Sequence, residues 1–271
     1  MIFRWLRKRR RQKLAAQPFP AAWLDAIEAN VRAYPALSAE RQARVRGYVQ
    51  VFVAEKNWEG CRGLAMTDEI RVTIAAQIAI MVLGLPEQYF DRVRSILVYP
   101  RSFIARQESD AGGGFVMNRE TELIGEVWMR GAVVVAWADA LANGRGERPG
   151  NVVMHEFAHE FDRLAGRDID GIPPLESEEQ YRRWIEVVNL EYRQLVHRCH
   201  RGLPTLLDCY AATNRKEFFA VATETFFTRP HAMRHRHAEL YSLFAEVYRQ
   251  DPAADRPEES REDEPMDDDE E

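Results

Sequence analysis

Two histidines and a glutamate in one short apolar segment are the residues of this sequence best suited to chemistry. Residues 152–162 read Val-Val-Met-His-Glu-Phe-Ala-His-Glu-Phe-Asp and contain the pattern His155-Glu156-x-x-His159. On a helix, positions i and i+4 lie one above the other, so both imidazoles can reach one metal ion. Zinc accepts this ligand pair, and Glu156 can take a proton from a water that the metal activates. The pattern therefore predicts a hydrolytic zinc site.

The same two histidines could instead lie on a solvent-exposed helix face, because the motif also arises by chance. The neighbouring positions speak against this, since Val153, Met154, Phe157, Ala158 and Phe161 are all apolar. Burying two imidazoles and a carboxylate costs free energy unless a partner compensates them. A metal ion is the simplest partner, and we therefore favour the zinc interpretation.

A third protein ligand is needed, because catalytic zinc usually has three and keeps a fourth position for water. No histidine follows His159 at the metzincin spacing, so the ligand is expected on a separate helix. We favour Glu217, which lies near a predicted N-cap, Asn214, on a largely apolar face where a carboxylate needs a positive partner. Glu217 could instead complete a capping box with Asn214, and Glu224, two turns further on, is the rival ligand. The downstream candidates are Asp162, Asp168, Asp170, His197, His200, Glu217 and Glu224.

Two other groups of residues leave alternatives open. Asp162 follows His159 by three positions and could bind the metal or orient one of the histidines. His197, Cys199 and His200, with Cys209 nearby, could form a second zinc site. Neighbours this close on a helix do not all converge, so a surface or packing role is favoured for that cluster.

Apolar periodicity predicts the elements that must position these side chains. The fold class expected is α+β: a mostly helical, zincin-like domain with a small mixed sheet beside the His155 helix. A glycine-rich turn at 110–114 lacks the lysine of a phosphate loop. The predicted helices span 21–33, 38–55, 68–83, 177–196 and 214–227, with one or two more in 231–248; the predicted strands span 95–99, 115–118, 124–129 and 132–137.

Composition is that of a soluble globular protein, with 271 residues, 46% of them hydrophobic and 30% charged. The longest apolar stretch, 72–85, is too short to span a bilayer. The three cysteines, Cys61, Cys199 and Cys209, form no C-x-x-C pair, which argues against a disulfide framework and favours a reducing compartment. We therefore expect a cytoplasmic protein without a transmembrane segment.

The two ends of the chain carry opposite charge. The first thirteen residues include seven basic ones, and residues 251–271 include twelve acidic and two basic ones. We expect a frayed basic start that could contact anionic lipid or nucleic acid, although nucleic acid is not expected as a partner. The predicted organisation is a basic segment 1–20, one metallopeptidase-like domain 21–250 and a disordered acidic tail 251–271. Within the domain, a helical part 21–90 precedes a sheet and active-site part 91–250.

The residues also resemble the Mlc titration factor A family of zinc peptidases, over about 41–250. Three segments carry the resemblance: His155–Asp162, the loop Ile-Asp-Gly-Ile-Pro at 169–173, and 208–227, which reads Asp-Cys-Tyr-Ala-Ala-Thr-Asn-Arg-Lys-Glu-Phe-Phe-Ala-Val-Ala-Thr-Glu-Thr-Phe-Phe. The family is gluzincin-like and is similar to the catalytic domain of anthrax lethal factor. The basic start and the acidic tail depart from the enterobacterial members.

The resemblance implies one Zn²⁺ per chain, with His155, His159 and Glu217 as ligands and Glu156 as general base. It places Tyr210 at the active site, where a phenol can donate a hydrogen bond to an oxyanion. It also implies aminopeptidase-like hydrolysis of a peptide or protein substrate. Some members bind a transcriptional repressor, so the alternative is a regulatory, repressor-sequestering module whose zinc site is mainly structural.

Overall fold

The computed structural model describes residues 2–101, 131–166 and 169–255. These ranges form mostly helix and one small sheet, which confirms the predicted α+β class. The strands are β1 (Asn57–Gly60), β2 (Ser95–Tyr99) and β3 (Ala132–Ala136). The helices are α1 (Ile2–Ala15), α2 (Ala21–Asn30), α3 (Ala39–Glu55), α4 (Asp68–Met81), α5 (Trp137–Arg145), α6 (Val152–Asp162), α7 (Glu178–His200), α8 (Arg215–Thr228), α9 (Pro230–Arg236), α10 (Ala238–Tyr248) and α11 (Pro252–Asp255). Short 3₁₀ helices span Arg163–Ala165 and Cys209–Ala212.

The first large helices pack around α4, which is buried along almost its whole length. From Val72 to Met81 its sequence is apolar except for Thr73 and Gln77, as expected for a helix inside a core. The hydroxyl of Ser38 accepts a hydrogen bond from the Arg41 amide and caps α3, which agrees with the predicted helix start at residue 38. Helix α2 ends earlier than predicted, at Asn30, whose side chain donates hydrogen bonds to Glu69 and Thr73 on α4.

The three described strands form one parallel sheet in the order β1-β2-β3. Strand β2 has the predicted bounds, whereas β3 stops at Ala136 because Trp137 begins α5, a helix that the turn-rich sequence did not predict. The four-residue β1 was also not predicted. The expected strands 115–118 and 124–129 and the glycine-rich turn 110–114 lie outside the described residues, and the described strands pair in parallel only, whereas a mixed sheet was predicted.

Both ends differ from their predicted state within the described residues. The basic start forms helix α1, in which Arg11 pairs with Glu55 and Asp91, instead of a frayed segment. At the other end, residues 252–255 form α11, where Ala253 is buried and Asp255 pairs with Arg41. Part of the predicted tail therefore belongs to the folded body.

The helices behind the candidate site share an aromatic core. Trp184 of α7 packs against Phe219 of α8 and Phe244 of α10, and Phe226 stacks on Tyr248. Helix α7 runs to His200, one turn beyond its predicted end. This layer holds α8 against α6, the two helices that carry the metal-binding motif. No described helix is long and apolar enough to cross a membrane.

Cys199 and Cys209 form a disulfide, so the expectation that these cysteines stay unpaired is wrong. The end of α7 and the following 3₁₀ helix bring their Cα atoms to 5.7 Å, a separation that a disulfide spans. With both sulfurs bonded to each other, the cluster around His197 and His200 has no thiolate for a second zinc site. Cys61 is a free thiol.

Candidate metal centre

Three predicted ligands meet between α6 and α8. The Nε2 atom of His155 lies 3.1 Å, and that of His159 3.4 Å, from Oε2 of Glu217. One ligand atom from each of these residues lies within 4.8 Å of the others, and no second such group of His, Cys, Asp or Glu occurs in the described ranges. The two histidines, four positions apart on α6, therefore meet a carboxylate from α8, as predicted from the sequence.

A cap at the start of α6 fixes the two histidines. The side chain of Asn151 accepts a hydrogen bond from the Met154 amide at 2.9 Å and donates to Gln77 of α4 at 2.8 Å. The helix begins at Val152 because this buried amide satisfies a backbone donor that would otherwise be unpaired. The rings of His155 and His159 then lie 4.9 Å apart at an interplanar angle of 88°.

A second cap aims Glu217. Asn214 accepts a hydrogen bond from the Glu217 amide at 3.1 Å and starts α8. In a capping box the Glu217 carboxylate would turn back to the cap. It lies instead beside the two imidazoles, with Lys216 at 3.7 Å from its other oxygen. The main-chain amide of Glu217 therefore takes part in the cap, while its carboxylate lies with the candidate metal ligands.

Glu224, the rival ligand, lies on the other side of His155. Its Oε1 is 2.6 Å from Nδ1 of His155, and its Oε2 accepts the main-chain N–H of Asn151 at 2.5 Å. Gly150, with φ of 80°, permits this approach, because a Cβ there would lie 2.6 Å from Oε2 of Glu224. Glu224 is therefore placed to orient a histidine rather than to join the ligand group.

The charges of the site suit a divalent cation. Burial alone would lower the pKa of His155, but hydrogen bonds to Glu217 and Glu224 outweigh it and raise the pKa to about 10. Burial acts to raise the pKa of Glu217, but the two histidines hold it below its usual range. Two buried carboxylates around one imidazole supply negative charge that a metal can neutralise, and two histidines with one glutamate form a common donor set for catalytic zinc.

Glu156 lies beside the ligands in a partly buried position. Burial, together with the negative charge of Glu217, Glu160 and Glu224, raises its pKa to about 7, against the opposing effect of His155. A carboxyl with such a pKa can both accept and return a proton near neutral pH. A carboxyl that can exchange a proton near neutral pH therefore lies beside the three candidate ligands.

Tyr210 reaches the same site from the 3₁₀ helix. Its ring centroid lies 6.0 Å from that of His155, and 54% of the residue is exposed. Partial burial, the charges of Glu217 and Glu156, and a hydrogen bond to Glu217 raise the pKa of the phenol, so the hydroxyl keeps its proton as a hydrogen-bond donor. Asp208 caps this turn by accepting the Tyr210 amide at 2.8 Å.

The remaining candidates lie elsewhere. Asp162 accepts the Gly171 amide at 2.7 Å, so its carboxylate pins the loop after α6 and is not part of the ligand group. Asp170 accepts the Ile172 amide within that loop. Asp168 lies outside the described residues. Asp162 was predicted to bind the metal or to orient a histidine. Its role in the structure is instead to hold the loop after α6.

Comparison with known proteins agrees with this geometry. The model of the family described as glucose-regulated metallo-peptidase M90 matches residues 3–249. A Synechocystis protein described as uncharacterized protein slr2042 is 36% identical over 250 residues, covering 92% of this chain and 90% of the relative. Mlc titration factor A of Klebsiella pneumoniae is 30% identical over 244 residues, covering 89% and 91%. Mlc titration factor A of Yersinia pestis is 26% identical over 240 residues, covering 86% of each chain.

These matches confirm the resemblance to the Mlc titration factor A family. They also extend it, because the family match begins at residue 3 rather than near residue 41. The basic N-terminal helix is therefore within the matched region, whereas the tail after residue 249 is outside it.

Proposed function

This chain belongs to the glucose-regulated metallo-peptidase M90 family, and we propose that it is a zinc peptidase with aminopeptidase-like activity. The observation that carries the proposal is the convergence of His155, His159 and Glu217 within 4.8 Å, with Glu156 beside them. Zinc is proposed because this donor set and its burial match catalytic zinc sites.

In the proposed mechanism, His155, His159 and Glu217 would hold the ion, which would supply Lewis acidity for the scissile carbonyl and for water. Glu156 accepts the proton of the attacking water and passes it to the leaving amine. The hydroxyl of Tyr210 donates a hydrogen bond to the oxygen that becomes negative during attack.

The test compares two site variants with an exposed control, Glu179→Ala on α7. Wild type and the control should contain about one zinc per chain and hydrolyse peptides in a chelator-sensitive way. Glu217→Ala should lose both metal and activity, because two histidines alone bind zinc weakly. Glu156→Gln should keep the metal and lose about 10²–10⁴-fold in kcat, because only the proton acceptor is removed.

Three outcomes would contradict the proposal. Zinc retained by Glu217→Ala would mean that another residue is the third ligand. Full activity of Glu156→Gln would remove the general-base role. A folded, zinc-loaded wild type that hydrolyses no member of a peptide library with free and with blocked amino termini would exclude the peptidase.

The second candidate function is protein binding with a mainly structural metal site. It is favoured by the name of the Klebsiella and Yersinia relatives, Mlc titration factor A. The partner proposed on this ground is a repressor of the Mlc type. Titration of purified Mlc with this chain in a calorimeter tests it, and absence of heat or of a complex on gel filtration would remove it.

A further inference from the structure

Helix α1 exposes apolar side chains that the fold does not use. Trp5 is 57% and Leu6 49% exposed, and they are neighbours in the chain. The other large apolar side chains exposed in the described ranges, Leu190, Leu203 and Tyr210, are distributed along the chain. Exposed apolar side chains that lie together and are rimmed by polar residues mark contact surfaces, whereas isolated ones do not.

The opposite side of α1 is attached firmly to the body. Arg11 donates hydrogen bonds to Glu55 and Asp91 and lies 4.2 Å above the ring of Tyr89. Arg7 also pairs with Asp91 at 2.9 Å. Near the end of the helix, Gly47 of α3 permits the close approach of Ala15. The helix therefore presents a fixed outer face and does not need a partner to fold.

The outer face combines apolar and cationic residues. Leu6, Arg9, Arg10 and Lys13 occupy positions i, i+3, i+4 and i+7, which form one stripe on a helix. In the described part of the chain no ion pair involves Arg9, Arg10 or Lys13, and Arg9 lies 5.3 Å from the ring of Trp5. The stripe faces away from Arg11, because positions 6 and 13 lie about 140° and 160° from position 11, and about 100° and 120° from position 7, at 100° per residue.

We propose that this outer face of α1 binds the surface of a phospholipid membrane that contains anionic lipid. Trp5 and Leu6 would enter the boundary between headgroups and acyl chains, while Arg9, Arg10 and Lys13 contact lipid phosphates. The charge complementarity favours an anionic surface, and the exposed Trp5 and Leu6 favour lipid. Nucleic acid or the acidic residues 256–271 would account for the cations but leave Leu6 exposed to water.

The test uses the full chain and sedimentation with vesicles of phosphatidylcholine mixed with phosphatidylglycerol, compared with phosphatidylcholine alone. Wild type should bind the anionic vesicles and lose most binding at high salt. Arg9→Gln/Arg10→Gln/Lys13→Gln should bind about a hundredfold more weakly, at roughly fivefold per charge. The matched control Arg182→Gln/Arg193→Gln/Arg201→Gln, with the same change in net charge on exposed arginines, should bind like wild type.

A second pair of variants tests the apolar contact. Trp5→Ala/Leu6→Ala should reduce vesicle binding by at least about tenfold, whereas Leu190→Ala/Leu203→Ala should not. These side chains are exposed, so unchanged unfolding temperatures are expected and exclude misfolding as the cause.

Several results would overturn the proposal. Equal binding to neutral vesicles, or equal loss in the two arginine-containing triple variants, would exclude a specific cationic face. Retention on duplex DNA without vesicle binding would assign the face to nucleic acid. Vesicle binding that appears only after deletion of 256–271 would identify that segment as the occupant of the face.

Discussion

At His155, two carboxylates meet one imidazole from opposite sides. Glu217 faces Nε2 and Glu224 faces Nδ1, at 3.1 and 2.6 Å. A proton on Nδ1, donated to Glu224, leaves the lone pair of Nε2 free for a metal. The Glu224 carboxylate also accepts the Asn151 amide, so one side chain couples the histidine to the start of its own helix.

Replacement of Glu224 by glutamine should weaken metal binding about 10–100-fold. The amide has only one acceptor oxygen and cannot serve both His155 and the Asn151 main chain. The measurement is zinc retention against increasing chelator. Glu191→Gln is the matched control, because Glu191 pairs with Nδ1 of His237 at 2.8 Å away from the metal centre. Equal zinc retention in both variants would refute an orienting role for Glu224.

The hydroxyl of Tyr210 gives a separate prediction about catalysis. Tyr210→Phe should keep the metal and lower kcat by about 10²–10³-fold, because a donor to the developing oxyanion is removed. KM should change much less, since the hydrogen bond strengthens only during attack. Peptide hydrolysis kinetics with parallel zinc analysis measure both. An unchanged kcat would show that the phenol only lines the site.

Among the elements, those with their own caps and periodicity were predictable from the sequence. Ser38 and Asn214 begin α3 and α8 as expected, because a cap and an apolar face are local signals. Among the described side chains of helix α1 only Arg11 is buried, and its ion pairs with distant carboxylates attach the helix to the body. Strand β1 forms only by pairing with β2. Helix α5 was not predicted, and its Gly144 serves packing, because a Cβ there would lie 2.5 Å from the Asn30 carbonyl oxygen.

The residues of the candidate site, too, were predictable only where the signal lies in the local sequence. His155, Glu156 and His159 follow from spacing within one helix, and Glu217 followed from the need of a carboxylate on an apolar face for a positive partner. The position of Glu224 could not be predicted, because the side of His155 that it meets depends on how α6 crosses α8. The Cys199–Cys209 pair depends likewise on where α7 ends.

The loop after α6 gives a pH-dependent prediction. Burial outweighs the Gly171 amide and raises the pKa of Asp162 from its ordinary 3.8 to about 6. A folded-state pKa above the unfolded value means that the stabilising contribution is complete below about pH 4 and is lost as the pH rises through about 6. Asp162→Asn cannot titrate at this position.

The free energy of unfolding should therefore differ between wild type and Asp162→Asn in a pH-dependent way. The free energy of unfolding of wild type minus that of the variant should fall steadily from about pH 4 to about pH 7. The reason is that only wild type acquires a buried negative charge, on Asp162, as the pH rises. Urea unfolding of both proteins over this range measures it. A difference that stays constant or rises with pH would contradict the assignment.

On the scale of the whole molecule, distant parts of the chain are fastened to each other. Arg41, at the start of α3, donates hydrogen bonds to the carboxylate of Asp255 and to the side-chain oxygen of Gln250. Gln250 in turn donates to the carbonyl oxygens of Ile80 and Met81. The segment after α10 and the helix α11 are thus tied to the start of α3 and to the end of α4.

The Cys199–Cys209 disulfide adds a covalent constraint to this molecule, and its reduction gives a global prediction. The bridge closes a short loop, with a sequence separation of 10. In the chain-entropy account such a loop destabilises the unfolded state by roughly 2–3 kcal/mol, so reduction should lower Tm by roughly 5–10 °C in a domain of this size. Calorimetry with and without dithiothreitol measures the shift.

Cys199→Ser/Cys209→Ser should melt like the reduced wild type whether or not reductant is present, and Cys61→Ser should behave as wild type. A Tm that is insensitive to reductant, in a protein whose thiols are shown by alkylation to become accessible, would mean that the bridge contributes nothing to stability and that the helix ends are held by packing alone.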